Sequence, residues 1–121
     1  MEEQQFFSYF MSLLSQVKLF HWSTMSYAKH KALDHLHEEL SEKVDLLFEA
    51  YIGKYRKQPL KIFVVKTIAT TNTKDIEGYL EMNRNIINDM QNQFMDVNEI
   101  QNILQDIMAH IDRTVYLCKF T

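Results

Sequence analysis

The sequence predicts an all-α fold in which four helices form a bundle with one long crossover connection. The 121 residues include only two Gly and one Pro, too few turn-forming residues for an all-β fold. Apolar residues also recur every three or four positions over four stretches, which is the spacing of amphipathic helices. A chain of this length buries one modest core, so we expect residues 1–121 to be a single domain.

The first two helices are predicted over about residues 2–22 and 27–52. Each has its apolar residues on one face, and the tetrapeptide STMS at 23–26 interrupts the pattern between them. Ser26 is a suitable N-cap for the second helix, because its hydroxyl can accept a hydrogen bond from a backbone N–H of the first turn. Gly53 is the expected C-terminal stop of that helix.

Residues of about 53–74 are predicted to form the crossover. Pro59, several β-branched residues and a Thr-rich end make a third long helix unfavourable there, and leave a short helix or a strand as alternatives. Two short connections and one of roughly twenty residues are typical of a four-helix bundle with a long link between its middle helices.

The third and fourth helices are predicted over about residues 75–94 and 97–119. Both have apolar residues three and four positions apart, and therefore one face for the core. Asp96 and Glu99 nearly match a capping box, in which Asp96 caps the fourth helix and Glu99 lies three residues later.

The composition excludes several classes of protein. The net charge of −3 comes with no basic stripe, so DNA binding is not expected. The single cysteine, Cys118, excludes an internal disulfide and a Cys-rich zinc site and suits a reducing compartment. The first residues are acidic where a targeting segment would be basic, and the apolar runs are too short to cross a bilayer. We therefore expect a cytoplasmic protein without a membrane partner.

Five side chains have the chemistry and spacing of metal ligands. His21 continues an apolar row at the end of the first helix, where a buried imidazole needs a hydrogen-bond partner. On the second helix, His30, Asp34, Asp45 and Glu49 share one polar stripe at 100° per residue. Imidazole nitrogen together with carboxylate oxygen suits iron, manganese or zinc. A solvated helix face with a structural histidine fits the same pattern, and the Glu-x-x-His motif of ordinary di-iron bundles is absent.

The order of these residues resembles that of a known family. The matching pieces are His21-Trp22, HKALD from His30 to Asp34, and DLLFE from Asp45 to Glu49. In this order they resemble the Dps branch of the ferritin superfamily, the mini-ferritins, in a short form similar to ferritin-like proteins of phages and large DNA viruses. The loop between the two histidines is shorter than in that family. The basic N-terminal tail with which many members bind DNA is not expected here.

The resemblance implies a ferritin-like bundle with ferroxidase activity, an oxidoreductase that oxidises Fe(II) with peroxide or oxygen for iron sequestration and oxidative protection. It implies a mono- or di-iron site, with manganese or zinc as substitutes. It also implies a homo-oligomer, which is a two-fold dimer at least and a dodecameric shell at its largest. The host cytoplasm or the virion would be its location if it is viral. The implied ligands, which are also the catalytic residues, come from two chains: His21, His30 and Asp34 from one, Asp45 and Glu49 from the other. The alternative is a catalytically inactive structural or virion-associated dimerising module with the same fold.

Overall fold

The computed structural model describes residues 3–57, 64–68 and 75–120. In these ranges the chain forms four α-helices and no strand: α1 (Glu3–Ser23), α2 (Tyr27–Tyr55), α3 (Ile76–Gln91) and α4 (Asn98–Leu117). A short 3₁₀ turn, Asn92–Phe94, extends α3. The prediction of an all-helical four-helix bundle is confirmed. The predicted start of the first helix at residue 2 and much of the predicted crossover, residues 58–63 and 69–74, lie outside the described residues.

The start of α2 agrees with the sequence prediction, and its end does not. Ser26 is the N-cap, and its hydroxyl accepts a hydrogen bond from the Lys29 backbone N–H at 3.2 Å. The prediction that Gly53 stops the helix is wrong, because the helix continues to Tyr55. The Tyr55 ring lies 6.3 Å from that of Phe94, a contact that keeps the last turn helical. Arg56 takes the left-handed conformation instead, with φ of 59°, at a cost on the order of 1 kcal/mol.

The predicted capping box before α4 is also wrong. Val97 is the N-cap residue, and its side chain makes no capping hydrogen bond. The Val97 N–H donates to the Phe94 carbonyl at 2.9 Å, and the half-buried Val97 side chain packs against the core. This packing places the N-cap one residue after Asp96, which is exposed, and α4 begins at Asn98.

Apolar side chains from all four helices form one core. Aromatic rings are concentrated where α1 begins, and there the Phe6 ring stacks on that of Tyr51, with 4.5 Å between centroids. The Phe7 ring meets the Phe48 ring edge to face at 4.8 Å. Each buried phenylalanine contributes about 1.5–3 kcal/mol relative to an exposed one, so this end of the bundle is strongly held. None of the described helices is both long and apolar enough to span a membrane.

One polar network interrupts the core between α1 and α3. Asn83 is buried, and its Oδ1 accepts a hydrogen bond from the Tyr9 hydroxyl at 2.7 Å. The Asn83 side-chain nitrogen donates to the Tyr79 carbonyl at 2.8 Å. Burial raises the pKa of Tyr79 from 10.0 to about 12, partly offset by a hydrogen bond with Asn83. The pKa of Tyr9 is also raised, chiefly by burial.

The helices run up, down, down and up. Lys29 near the start of α2 pairs with Glu77 near the start of α3 at 3.3 Å. Near the other end of α2 the Tyr51 ring lies 6.3 Å from that of Phe94, after the end of α3. The two middle helices are therefore parallel, and the chain between them must return along the full length of the bundle.

The described part of that connection, residues 64–68, runs along the outside of α1. Its backbone bonds to side chains spaced four residues apart on α1: Ser8 donates to the Val64 carbonyl, the Lys66 N–H donates to Ser12 at 2.9 Å, and the Ile68 N–H donates to Gln16 at 2.6 Å. Four helical residues rise about 6 Å and two extended residues about 6.6 Å, so the two spacings match.

Candidate metal centre

His21 and His30 meet where α1 ends and α2 begins. Their rings stack, with 4.0 Å between centroids and 19° between planes. The His21 Nδ1 lies 2.8 Å from the His30 carbonyl oxygen, and the His30 Nδ1 lies 2.9 Å from the His21 carbonyl oxygen. A carbonyl oxygen only accepts, so both Nδ1 atoms carry the hydrogen and donate it. His21 is buried, as expected, and the partner that its imidazole requires is this carbonyl.

Neither Nε2 atom takes part in the two hydrogen bonds that join His21 and His30. In the neutral ring each Nε2 keeps its lone pair, while the opposite nitrogen is fixed by a backbone carbonyl. Histidines that bind metals usually have this arrangement, because the second hydrogen bond fixes the tautomer and the ring orientation. Both imidazoles at the helix junction are therefore held as the imidazoles of metal-binding histidines usually are.

The tight loop between the helices is the reason that the two imidazoles face each other. The Thr24 N–H continues the α1 pattern by donating to the Phe20 carbonyl at 3.0 Å. The Ser26 N–H then donates to the Thr24 hydroxyl at 3.2 Å, and Ser26 caps α2. The reversal is complete within three residues, so histidines nine positions apart are brought ring to ring. The short spacing joins them.

Asp34, one turn further along α2 than His30, is the third donor at this junction. Its Oδ1 lies 3.7 Å from the His21 Nε2 and 3.9 Å from the Lys18 Nζ. Two ligand atoms that are each about 2.1 Å from one ion, at a tetrahedral angle, lie about 3.4 Å apart. The His21–Asp34 separation is therefore close to what a shared ion requires, and the ammonium group of Lys18 stands beside it.

Asp45 and Glu49 do not join this group within one chain. Both are exposed on α2, and they lie about 16 Å and 22 Å beyond Asp34 at 1.5 Å per residue. Neither carboxylate lies within 4.0 Å of a cationic group in the described residues. In the same ranges, no set of three or more His, Cys, Asp and Glu side chains could hold a metal ion. The five predicted residues therefore fall into a group of three and a group of two.

A groove of about 440 Å³ borders the junction on the surface shared by α1 and α2. Its walls are mostly apolar: Met11, Leu14, Ser15, Lys18, Leu19, Trp22 and His37. Trp22 is 67% exposed, so it does not pack in the core of the single chain. Burial lowers the pKa of His37, Lys18 and His21 lower it further, and Asp34 opposes them.

Lys18 is the residue of this site that the sequence analysis missed. The Nζ of this lysine also lies 5.6 Å from the centroid of the Trp22 ring. The signal was present, because a residue three positions before His21 lies on the same side of a helix as that histidine. Lysine is not among the usual metal ligands, so a pattern of ligand residues does not include it.

The fold and the junction together define a class: a helical bundle protein with a histidine pair and a carboxylate where its first two helices join. A family model described as a family of unknown function, DUF5856, matches residues 21–118, and the chain belongs to this family. The chain is also 31% identical over 98 residues to an uncharacterised 14.6 kDa protein from the mobD–ri intergenic region of Enterobacteria phage T4, covering 80% of this chain and 72% of that protein. No solved structure is significantly similar to the chain.

Proposed function

We propose that two copies of this chain bind Fe(II) at a shared site formed by α2 and the end of α1, and oxidise it with peroxide or oxygen, as the mini-ferritins do. The observation that carries the proposal is the reciprocal pair of His21 and His30, which fixes both Nδ1 atoms on carbonyl oxygens and leaves both Nε2 atoms for metal. The up-down-down-up course with one long crossover, which ferritin-like bundles share, supports it.

The spacing of the ligands on α2 supports a site built from two copies. His30 and Asp34 are four residues apart, and so are Asp45 and Glu49. The two pairs are placed symmetrically about the point between residues 39 and 40. If two α2 helices cross antiparallel at this point, His30 faces the second copy's Glu49 and Asp34 faces its Asp45. A two-fold axis there forms two equal sites, and an iron ion bound in each site gives the Asp45 and Glu49 carboxylates a cationic partner.

The proposed chemistry treats iron as the substrate. Two Fe(II) ions each give one electron to hydrogen peroxide, which takes up two protons and becomes two water molecules. Asp34, with Asp45 and Glu49 of the second copy, offsets the higher charge of Fe(III) and so favours the oxidised product. The two imidazoles hold the ion in position, since their rings are fixed by backbone hydrogen bonds. Manganese or zinc suits the same donors.

A complementation experiment tests both the activity and its two-chain origin. Oxidation of Fe(II) is followed by absorbance for His30→Ala, for Glu49→Gln, and for the two variants unfolded together and refolded as a mixture. Each variant alone should oxidise iron at the buffer rate. The mixture should recover about one quarter of the wild-type rate, because half of the dimers are mixed and each mixed dimer has one intact site.

The control for this experiment is Glu42→Gln, which removes an exposed carboxylate from the same helix outside the proposed site. It should keep the wild-type rate. Wild-type activity in Glu49→Gln, or no recovery in a mixture whose mixed dimers are demonstrated by mass spectrometry, would refute the shared site.

A second candidate function is a dimerising structural module without catalysis. Two observations favour it: the ammonium group of Lys18 already lies 3.9 Å from the Asp34 carboxylate, and no complete donor set forms among the described residues of one chain. This function predicts a folded dimer that oxidises iron no faster than buffer with either oxidant and takes up no metal on dialysis. Iron bound in proportion to dimers would contradict it.

A further inference from the structure

A second cavity lies on the other side of α2, where that helix begins and α4 ends. Its volume is about 360 Å³, which is within the range of small-ligand pockets. The residues that line it divide into an apolar wall and a nitrogen-bearing rim: Ala28, Ala32, Leu117 and Phe120 form the wall, and Lys31, His35 and Arg113 form the rim. None of these residues belongs to the proposed iron site.

The rim contains two cations that no described carboxylate neutralises. The Arg113 guanidinium donates to the His35 Nε2 at 3.1 Å, and because arginine only donates, the imidazole nitrogen must accept. The Lys31 Nζ lies 5.8 Å from the centroid of the Tyr27 ring. Among the described residues, neither cation has a carboxylate within 4.0 Å. Arg84, by contrast, pairs with Asp112 at 3.3 Å.

The apolar wall consists of an exposed aromatic ring, that of Phe120, opposite the small side chains of Ala28 and Ala32. Phe120 is 57% exposed, and the edge-to-face contact with Tyr116, at 5.1 Å between centroids, fixes its ring orientation. Ala28 and Ala32 have only methyl groups, so space remains between α2 and the Phe120 ring. A ring that enters this space removes the exposed Phe120 face from water, which is favourable by about 25 cal/mol per Å².

We propose that this cavity binds a small aromatic anion, a flat ring system that carries a carboxylate, sulfonate or phosphate group. The ring packs between Phe120 and the two alanines, and the anionic group pairs with Arg113 and Lys31. Arginine held by a second hydrogen bond is well suited to this role, because its planar donors match two oxygens of an anion. The first turn of α2 contains no acidic residue, so its positive end adds to the attraction.

The test is a fluorescence titration of the full chain with 1-anilinonaphthalene-8-sulfonate, itself a flat aromatic anion. We expect saturable binding of one probe per chain, and a Kd about ten-fold higher in Arg113→Gln, the loss expected for one charged hydrogen-bond partner. Arg84→Gln is the matched control and should bind the probe as the wild type does, because this arginine is already paired outside the cavity. Adenosine monophosphate should displace the probe, and inorganic phosphate at the same concentration should not.

A second variant separates cavity binding from general attraction to positive charge. Ala28→Leu fills the cavity, keeps both rim cations and retains a good helix former, so it should abolish probe binding while circular dichroism stays unchanged. If Arg113→Gln does not fold, Lys31→Gln serves in its place with the same expectation. Undiminished binding in Ala28→Leu, equal Kd values in Arg113→Gln and Arg84→Gln, or binding that does not saturate would overturn the proposal.

Discussion

Replacing Lys18 with methionine should strengthen divalent-metal binding at the helix junction, which is the opposite of what most substitutions beside a site do. The Lys18 Nζ lies 3.9 Å from the Asp34 Oδ1, and the Lys18 side chain is 31% exposed. Methionine keeps an unbranched apolar stem against the Trp22 ring and removes only the charge. The variant therefore tests electrostatic competition with little change in packing.

The magnitude follows from the distance. An ion bound to the Asp34 Oδ1 lies about 5 Å from the ammonium group, and charges of +2 and +1 at this separation repel by about 2 kcal/mol at the dielectric constant of water. A lysine side chain that is 31% exposed can turn away into solvent, so the realised gain is about 1–2 kcal/mol. This corresponds to a Kd between about five-fold and thirty-fold lower for Lys18→Met.

The assay is a titration with Co(II), followed by its visible absorption, at low and at high salt. The control is Lys43→Met, since the Lys43 Nζ lies 3.7 Å from the Asp106 Oδ2 on the α4 side of the bundle. The gain in affinity should shrink as salt screens the repulsion. If Lys18→Met binds Co(II) as the wild type does, or more weakly, then the ion does not bind at Asp34.

Two further predictions concern the buried polar network. Tyr9→Phe removes the hydroxyl that donates to the Asn83 Oδ1 and should destabilise the fold by about 1–3 kcal/mol in urea unfolding, since a buried acceptor loses its partner. Tyr9→Phe combined with Asn83→Leu should cost less than the sum of the single changes, and additive costs would contradict the coupling. Because the pKa of Tyr79 is raised from 10.0 to about 12, the unfolded chain loses this proton first as pH rises. The stabilisation is complete below pH 10.0, and the free energy of unfolding should fall as pH rises from 10.0 to about 12. The fall should be less steep in Tyr79→Phe. Equal slopes of unfolding free energy against pH in the two proteins would contradict the prediction.

Local features of the chain were predictable where neighbouring residues decide them. The helices follow from apolar spacing, and the Ser26 cap follows from a hydroxyl placed three residues before a free backbone N–H. The two wrong helix ends were decided by distant contacts. Tyr55 packs near Phe94 and carries α2 past Gly53, and Val97 packs on the core and delays the start of α4.

The candidate site shows the same division. Sequence spacing alone separates Asp34 from Asp45 by about 16 Å along α2, because the rise of a helix is constant. It also indicates that a histidine in the apolar row at position 21 needs a partner. The identity of that partner depends on how tightly the loop between α1 and α2 reverses the chain. The periodicity of the sequence does not predict this geometry.

By itself, then, the sequence determined four helices, a buried histidine and a polar stripe on the second helix, since each depends on residues within a few turns of one another. Only the tertiary structure decided that His21 and His30 exchange hydrogen bonds ring to ring, and that Lys18 stands beside Asp34. It also decided that Arg113 and Lys31 border one cavity. These arrangements depend on how two helices dock, and docking sums many weak contacts between residues far apart in the chain.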